Sequence, residues 1–330
     1  MKGEERRVKR IKDVGQGFSL ASHLRQIANG KQQIAKMQGF FERVGLKAIF
    51  AVRPYRLPPS VHIENTNACN AHCITCPREE MTRKIGFMDI SLFKRIIDEC
   101  VKNGISTIHL HNFGEPFLDK RLFERIRYAK GRGIRRVKLF TNGSIMSKRV
   151  CEEVIASGLD ELKVSIDGAD EETFEEIRVG LKFHRVVGNI ERLLEAREEM
   201  GAKRPRVGIN FVLFSKNRKE EKAVRATWAR KLDSISIDRW HNWGGVKSNP
   251  GPPQKRVLPC TRLWTSFTIL WNGDVALCCR DFDGKVILGN VEREGIAEIY
   301  NGQRINEIRR WHLAGQFDKI EICSYCSSRE

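Results

Sequence analysis

Six times between residues 60 and 240 a short β-prone run is followed by an amphipathic helical stretch, and this alternation leaves few architectures open. "SVHIENT" (60–66), "STIHLHNFGEP" (106–116), "RRVKLFTNG" (135–143), "ELKVSIDG" (161–168), "RPRVGINFVLF" (204–214) and "DSISIDRW" (233–240) read as strands. Residues 89–104 place Ile90, Phe93, Ile97 and Val101 on one helical face; 119–133, 147–158, the stretch up to Met200 and 217–232 are also helical in pattern. Strand–helix units in series require parallel strands joined by right-handed crossovers, so the expected class is α/β. Functional groups then gather at the C-terminal strand ends. Each strand here ends in polar punctuation: Asn65 and Asn67, Asn112 to Glu115, Asn142 to Gly143, Ser165 to Gly168, Asn210, and Arg239 to Asn242.

The alternation stops at "GGVKSNPGPPQKRVLP" (244–259), whose Gly and Pro content marks a linker. Beyond it, "SFTILWNGDVALCC" (266–279) predicts a hairpin about Asn272-Gly273, and residues 296–315 predict a helix with a weak point at Gly302. Four regions follow: a basic helical extension over 1–57, a strand–helix body over 58–243, the linker, and a small C-terminal domain over 260–330. No apolar run reaches the length of a membrane span, and the N-terminus lacks a signal-peptide core, so a cytoplasmic enzyme is expected. Residues 1–60 hold thirteen Lys/Arg against four Asp/Glu, half of the net charge of +18. Such an arm suits an anionic membrane surface, a phosphorylated substrate or simple solvation on the body of the enzyme; nothing in it argues for specific nucleic-acid binding.

Ten cysteines in such a chain are expected as reduced thiols, and clustered thiols point to metal more than to disulfides. Cys100 and Cys151 stand alone in helical patterns and read as packing. Cys69, Cys73 and Cys76 form Cys-x3-Cys-x2-Cys, a loop in which three thiolates can converge on one face of an iron–sulfur cubane and leave the fourth iron open. Structural zinc wants four ligands, and His72, between the cysteines, is poorly placed to be one.

With this loop at the first strand end, the sequence over residues 60–330 resembles the radical S-adenosylmethionine (SAM) superfamily. The resemblance implies a partial (β/α)6 TIM-like barrel and a [4Fe-4S] cluster. The open iron of that cluster would hold SAM and, once reduced, cleave it to a 5′-deoxyadenosyl radical. Gly114-Glu115-Pro116 resembles the family's glycine–glutamate loop, with Phe113 in place of the usual first glycine. Asn142 lies in the matching turn after the third strand, Ser165 and Asp167 resemble fourth-strand residues near SAM, and Arg178 matches an arginine that meets the SAM carboxylate. Thr75 stands where an aromatic often lies beside the adenine.

Cys260, Cys278, Cys323 and Cys326 resemble the ligand pattern of the Twitch domain, a shortened SPASM domain, which implies a second, fully ligated [4Fe-4S] cluster; structural zinc is the competing occupant. In an extended strand Cys278 and Cys279 would face opposite ways, leaving Cys279 either a hydrogen donor or a packed thiol. The spacing is most similar to aminocyclitol dehydrogenases, which oxidise a secondary alcohol of 2-deoxy-scyllo-inosamine, and to related sugar epimerases. Those activities imply a small, sugar-like or phosphorylated substrate and a flavodoxin or ferredoxin reductant. Arg239 and His241, on one face of an extended segment, are candidates to hold the substrate and to act as base, His241 being equally a structural histidine. The alternative function is maturation of a ribosomally made peptide, as in other SPASM proteins.

Overall fold

The computed structural model describes residues 56–247 and 259–327. The basic arm up to residue 55 and most of the 244–259 linker lie outside these residues, as does any membrane contact of the arm.

Strands β1 (Val61–Ile63), β2 (Thr107–His109), β3 (Arg136–Thr141), β4 (Glu161–Ser165), β5 (Arg206–Leu213) and β6 (Ser234–Arg239) pair in chain order, all parallel. Helices α1 (Ile90–Lys102), α2 (Leu122–Gly131), α3 (Lys148–Ala156), α4 (Glu171–Ile177), α5 (Phe183–Glu199) and α6 (Glu221–Trp228) alternate with them. The order and type of these elements follow the sequence pattern. In α1, Asp89 accepts from the Ser91 N–H as N-cap, and Phe93 and Ile97 are fully buried. Burial of each such side chain contributes roughly 1.5–3 kcal/mol.

One feature departs from the sequence expectation. The predicted hairpin, β7 (Phe267–Ile269) and β8 (Asp274–Ala276), extends the barrel sheet: β7 pairs parallel with β1, setting Thr268 opposite His62. Strand β9 (Ile287–Asn290), which the sequence reading missed, follows antiparallel, and the nine strands run β6-β5-β4-β3-β2-β1-β7-β8-β9. Pairing across two hundred residues leaves no local mark in a sequence. The remaining helices are α7 (Arg262–Thr265), α8 (Ile296–Asn301), α9 (Gln303–Ala314) and α10 (Glu321–Ser324), with α8 and α9 divided at Gly302.

The two faces of the sheet differ. Val61, Ile63, Ile108, Val137, Leu139, Leu162, Val164, Val207 and Ile209 are fully buried on the outer, helix-covered face. The residues between them on β1 to β4 are partly exposed and mostly polar: His62, His109, Lys138, Phe140, Glu161, Lys163 and Ser165. A parallel sheet packed on both faces would be apolar throughout, so this inner face is built to meet something polar. Among the described residues no helix is long and apolar enough to cross a membrane.

Candidate functional site

Cys69, Cys73 and Cys76 occupy the loop after β1 as partly exposed free thiols. Its backbone is held from two sides. The His72 and Ile74 N–H groups donate to the carbonyls of Val179 and Ile177 at 2.8 and 3.0 Å, and the Glu115 N–H donates to Ala68 at 2.7 Å. Burial, reinforced by neighbouring sulfurs, pushes the Cys69 thiol up and the Cys76 thiol up to about 12, so an incoming metal has protons to displace. His72 turns away to Glu79, its Nδ1 2.8 Å from the carboxylate, and adds nothing to the thiols.

Gly114, at φ +83°, presses the β2 loop against this one; a Cβ there would lie 2.6 Å from the Thr66 carbonyl and 2.7 Å from that of Ala68. Glu115 caps the short 3-10 turn that begins at Pro116, accepting from Phe117 N–H at 3.1 Å. Its carboxylate also accepts from Thr141 Oγ1 and from the Asn142 N–H, each at 2.7 Å. Burial raises its pKa against these bonds. Glu115 therefore ties the second strand end to the third. Asn142 continues the tie, donating from Nδ2 to Asn70 Oδ1 at 2.9 Å within the cysteine loop.

Arg178 closes the other flank. It ends α4, pairs with the fully buried Asp167 at 2.6 Å and lies 3.8 Å from Cys73 Sγ. Burial works against its charge, yet Asp167 and Cys73 hold its pKa above the usual arginine value. Arg178→Met would strand the Asp167 carboxylate without its counter-ion. A stability loss of about 3–5 kcal/mol is expected, measured by urea unfolding; a loss under about 1 kcal/mol would show that the pair carries little of the site's rigidity. Ser165, at the end of β4, sits opposite Asn210 on the inner face.

The segment after β6 links the two cysteine groups. Trp240 and Trp243 both donate indole N–H bonds to the Thr75 carbonyl, at 3.3 and 2.7 Å. Between them Asn242 bonds Tyr325 O at 2.7 Å and, through its backbone N–H and side chain, Ser327 at 3.0 and 2.9 Å, fixing the tail that carries Cys323 and Cys326. Cys260, Cys278, Cys323 and Cys326 line one cavity. Burial first, then the nearby sulfurs of Cys279, Cys260 and Cys323, drive the Cys278 thiol far up. An all-sulfur donor set of this kind suits an iron–sulfur cluster or zinc.

Three sequence expectations change. Arg239 shares its strand parity with Ile235 and Ile237, which pack on the helix side, and is exposed; it does not join the site. His241 stacks edge-on against Trp243 with centroids 4.1 Å apart, and burial together with Arg280 and Arg262 lowers its pKa to about 2, which makes it a poor base. Cys278 and Cys279 lie in a turn past β8 rather than in an extended strand. Even so, Cys278 lines the cavity whereas Cys279 meets the Arg262 guanidinium at 3.4 Å. The sequence reading also passed over the inner-face residues. Their signal was there: "VHI", "IHLH" and "LKVS" alternate with a period of two.

The radical SAM superfamily model matches residues 63–225, and the SPASM iron–sulfur cluster-binding model matches residues 260–327. The tungsten-containing aldehyde ferredoxin oxidoreductase cofactor-modifying protein of Pyrococcus furiosus is 27% identical over 183 residues, 54% of this chain and 49% of that one, so the chain spans about half the length of this relative. The S-adenosyl-L-methionine-dependent 2-deoxy-scyllo-inosamine dehydrogenase of Niallia circulans is 21% identical over 277 residues, 81% of this chain and 92% of that one. Streptococcus suis SuiB bound to precursor peptide SuiA shares the fold, with a TM-score of 0.68 at 13% identity over 94% of this chain and 81% of that one. With one model matched from the end of β1 through β5 and the other across the segment beyond the linker, the chain belongs to the radical SAM superfamily of enzymes, carries a SPASM domain, and works with a [4Fe-4S] cluster, S-adenosyl-L-methionine and auxiliary iron–sulfur chemistry.

Proposed function

We propose that this chain takes a hydrogen atom from the carbon of a secondary alcohol on a sugar-like or aminocyclitol substrate, ending in a ketone or an epimer. The observation that carries this reading is the convergence of Cys260, Cys278, Cys323 and Cys326 on one cavity. The near full-length likeness to an aminocyclitol dehydrogenase supports it. When bound, the cluster and SAM supply a 5′-deoxyadenosyl radical able to break an unactivated C–H bond.

The residues of the chain hold and orient. Cys69, Cys73 and Cys76 would hold the first cluster, while Gly114, Glu115 and Asn142 lock the strand ends around their loop. Asp167 and Arg178 steady Cys73 from the far side, and Arg178 is the candidate to meet a SAM carboxylate. Forming a ketone from an alcohol removes one hydrogen atom, one proton and one electron. Cys260, Cys278, Cys323 and Cys326 would hold a single Twitch-type cluster in this reading, and such a cluster would supply an acceptor for the electron, since four protein ligands would leave no position for substrate. An epimerase needs a hydrogen donor instead, and Cys279 stands apart from the cavity for that part. A flavodoxin or ferredoxin reductant and a reducing cytoplasm complete the reading. Peptide maturation is the second reading, supported by the shared fold with peptide-bound SuiB.

Turnover in heavy water separates these outcomes. Dehydrogenation is expected to give a product two hydrogens lighter, and epimerisation an inverted product carrying one deuterium. If alcohols labelled at the reacting carbon pass no deuterium into 5′-deoxyadenosine, the substrate reading fails.

A further inference from the structure

The inner face of the barrel carries a group of side chains with no part in the site above. His62, His109 and Lys138 stand side by side on β1, β2 and β3 in one register, and Glu161 on β4 continues the row. His111, just beyond β2, completes a trio in which one ring nitrogen from each histidine lies within 4.8 Å of the other two. His111 stacks on Phe140 at 4.4 Å, and the Lys163 ammonium lies 5.6 Å over the same Phe140 ring. Lys138 and Lys163 share a single carboxylate, Glu161, at 3.2 and 3.6 Å, which leaves one positive charge in excess. The nearby Glu64 is already taken by Arg83 in a two-pronged pair at 2.5 and 2.6 Å. His111 Nδ1 is buried and has no hydrogen-bond partner.

Three imidazoles so close could hold a divalent cation, but their surroundings oppose it. Burial is the main cause holding His62 down to about 4, and the charges that add to it are Arg262 and Lys138; His111, held to about 3, feels Lys138 and Lys163. His109 is lowered too, by burial and then by its imidazole and lysine neighbours. Neutral imidazoles ringed by cations repel a metal ion or an ammonium and attract an oxyanion. A carboxylate has about four acceptor sites, whereas two lysines and the imidazole N–H groups of His62 and His109 supply more donors than that, the His111 ring being already bonded to the Lys138 backbone. A phosphate brings further acceptor oxygens, and the one positive charge left over beside Glu161 favours an anion.

We propose that this inner face binds the phosphate head of a phosphorylated alcohol, with Lys138 and Lys163 holding the charge and His62 and His109 donating to its oxygens. The inference rests on the small-molecule reading above and narrows it, because a substrate bearing an ammonium would be repelled here.

The test is calorimetric titration of the reconstituted holoenzyme with inorganic phosphate at low salt, with acetate as the monoanionic control. Saturable phosphate binding is expected, and acetate should bind more weakly. Lys163→Gln and the pair Lys138→Met with Lys163→Met should weaken phosphate about ten- to a hundredfold, while Lys163→Arg should keep it. Absence of saturable binding, acetate binding as tightly as phosphate, or undiminished affinity in Lys163→Gln would each overturn the proposal. So would a non-iron divalent metal retained stoichiometrically and lost in His109→Ala. The change in the cluster's paramagnetic signal on adding SAM, measured on the same wild-type preparation, tests the radical reading by itself, so failure of one is not mistaken for failure of the other.

Discussion

Gly114→Ala is expected to lower SAM cleavage at least about a hundredfold while leaving the chain folded. The glycine sits at φ +83°, where a side chain costs about 1–2 kcal/mol before any contact is counted. A Cβ there would also meet the Thr66 and Ala68 carbonyls and lie 2.8 Å from Asn67 Cα. These are backbone atoms of the cysteine loop, so the loop itself has to move, and Cys69 is its next residue. The Glu115 N–H bond to Ala68 would be lost in the same displacement. Formation of 5′-deoxyadenosine under reducing conditions measures the effect, and circular dichroism confirms that the fold is retained. A variant with wild-type cleavage would show that the two loops do not depend on each other.

Cys278→Ser is expected to remove the auxiliary centre and nothing else. Iron should fall from about eight to about four per chain, because serine is a poor ligand in a set of four. SAM cleavage should continue, uncoupled, while formation of the oxidised product stops. Its neighbour supplies the control: Cys279→Ser should keep all the iron, since Cys279 bonds Arg262 and, unlike Cys278, does not itself line the cavity. If iron stays at about eight in Cys278→Ser, the assignment of the second cysteine group is wrong. If four irons and one zinc are found in the wild type, the cavity holds zinc and the electron has no acceptor there.

The sequence carried the strand and helix alternation well, because amphipathic periodicity is a local property that packing then uses directly. The loop of Cys69, Cys73 and Cys76 was legible for a similar reason: its chemistry is fixed by short spacing. The failures were non-local. Glu115 is legible as a residue of the site from its motif, but not that its oxygens accept from Thr141, Asn142 and Phe117 and so tie two strand ends together. Arg239 and His241 look like a polar pair on an extended segment; the strand's parity sends the first outward, and burial, with Arg280 and Arg262, suppresses the second. The tie from Asn242 to Tyr325 and Ser327 joins segments more than eighty residues apart. The inner-face histidines were visible as alternation but were read as part of apolar strands.

The parallel pairing of β1 with β7 also bears on how the chain is made. On the ribosome, Val61 emerges some two hundred residues before its partner Phe267. At about 5–20 residues per second, β1 waits roughly 10–40 s with one backbone edge open. For that interval the nascent barrel offers a bare template to any other strand, and a chaperone that shields it would raise the yield of active enzyme more than any gain in final stability.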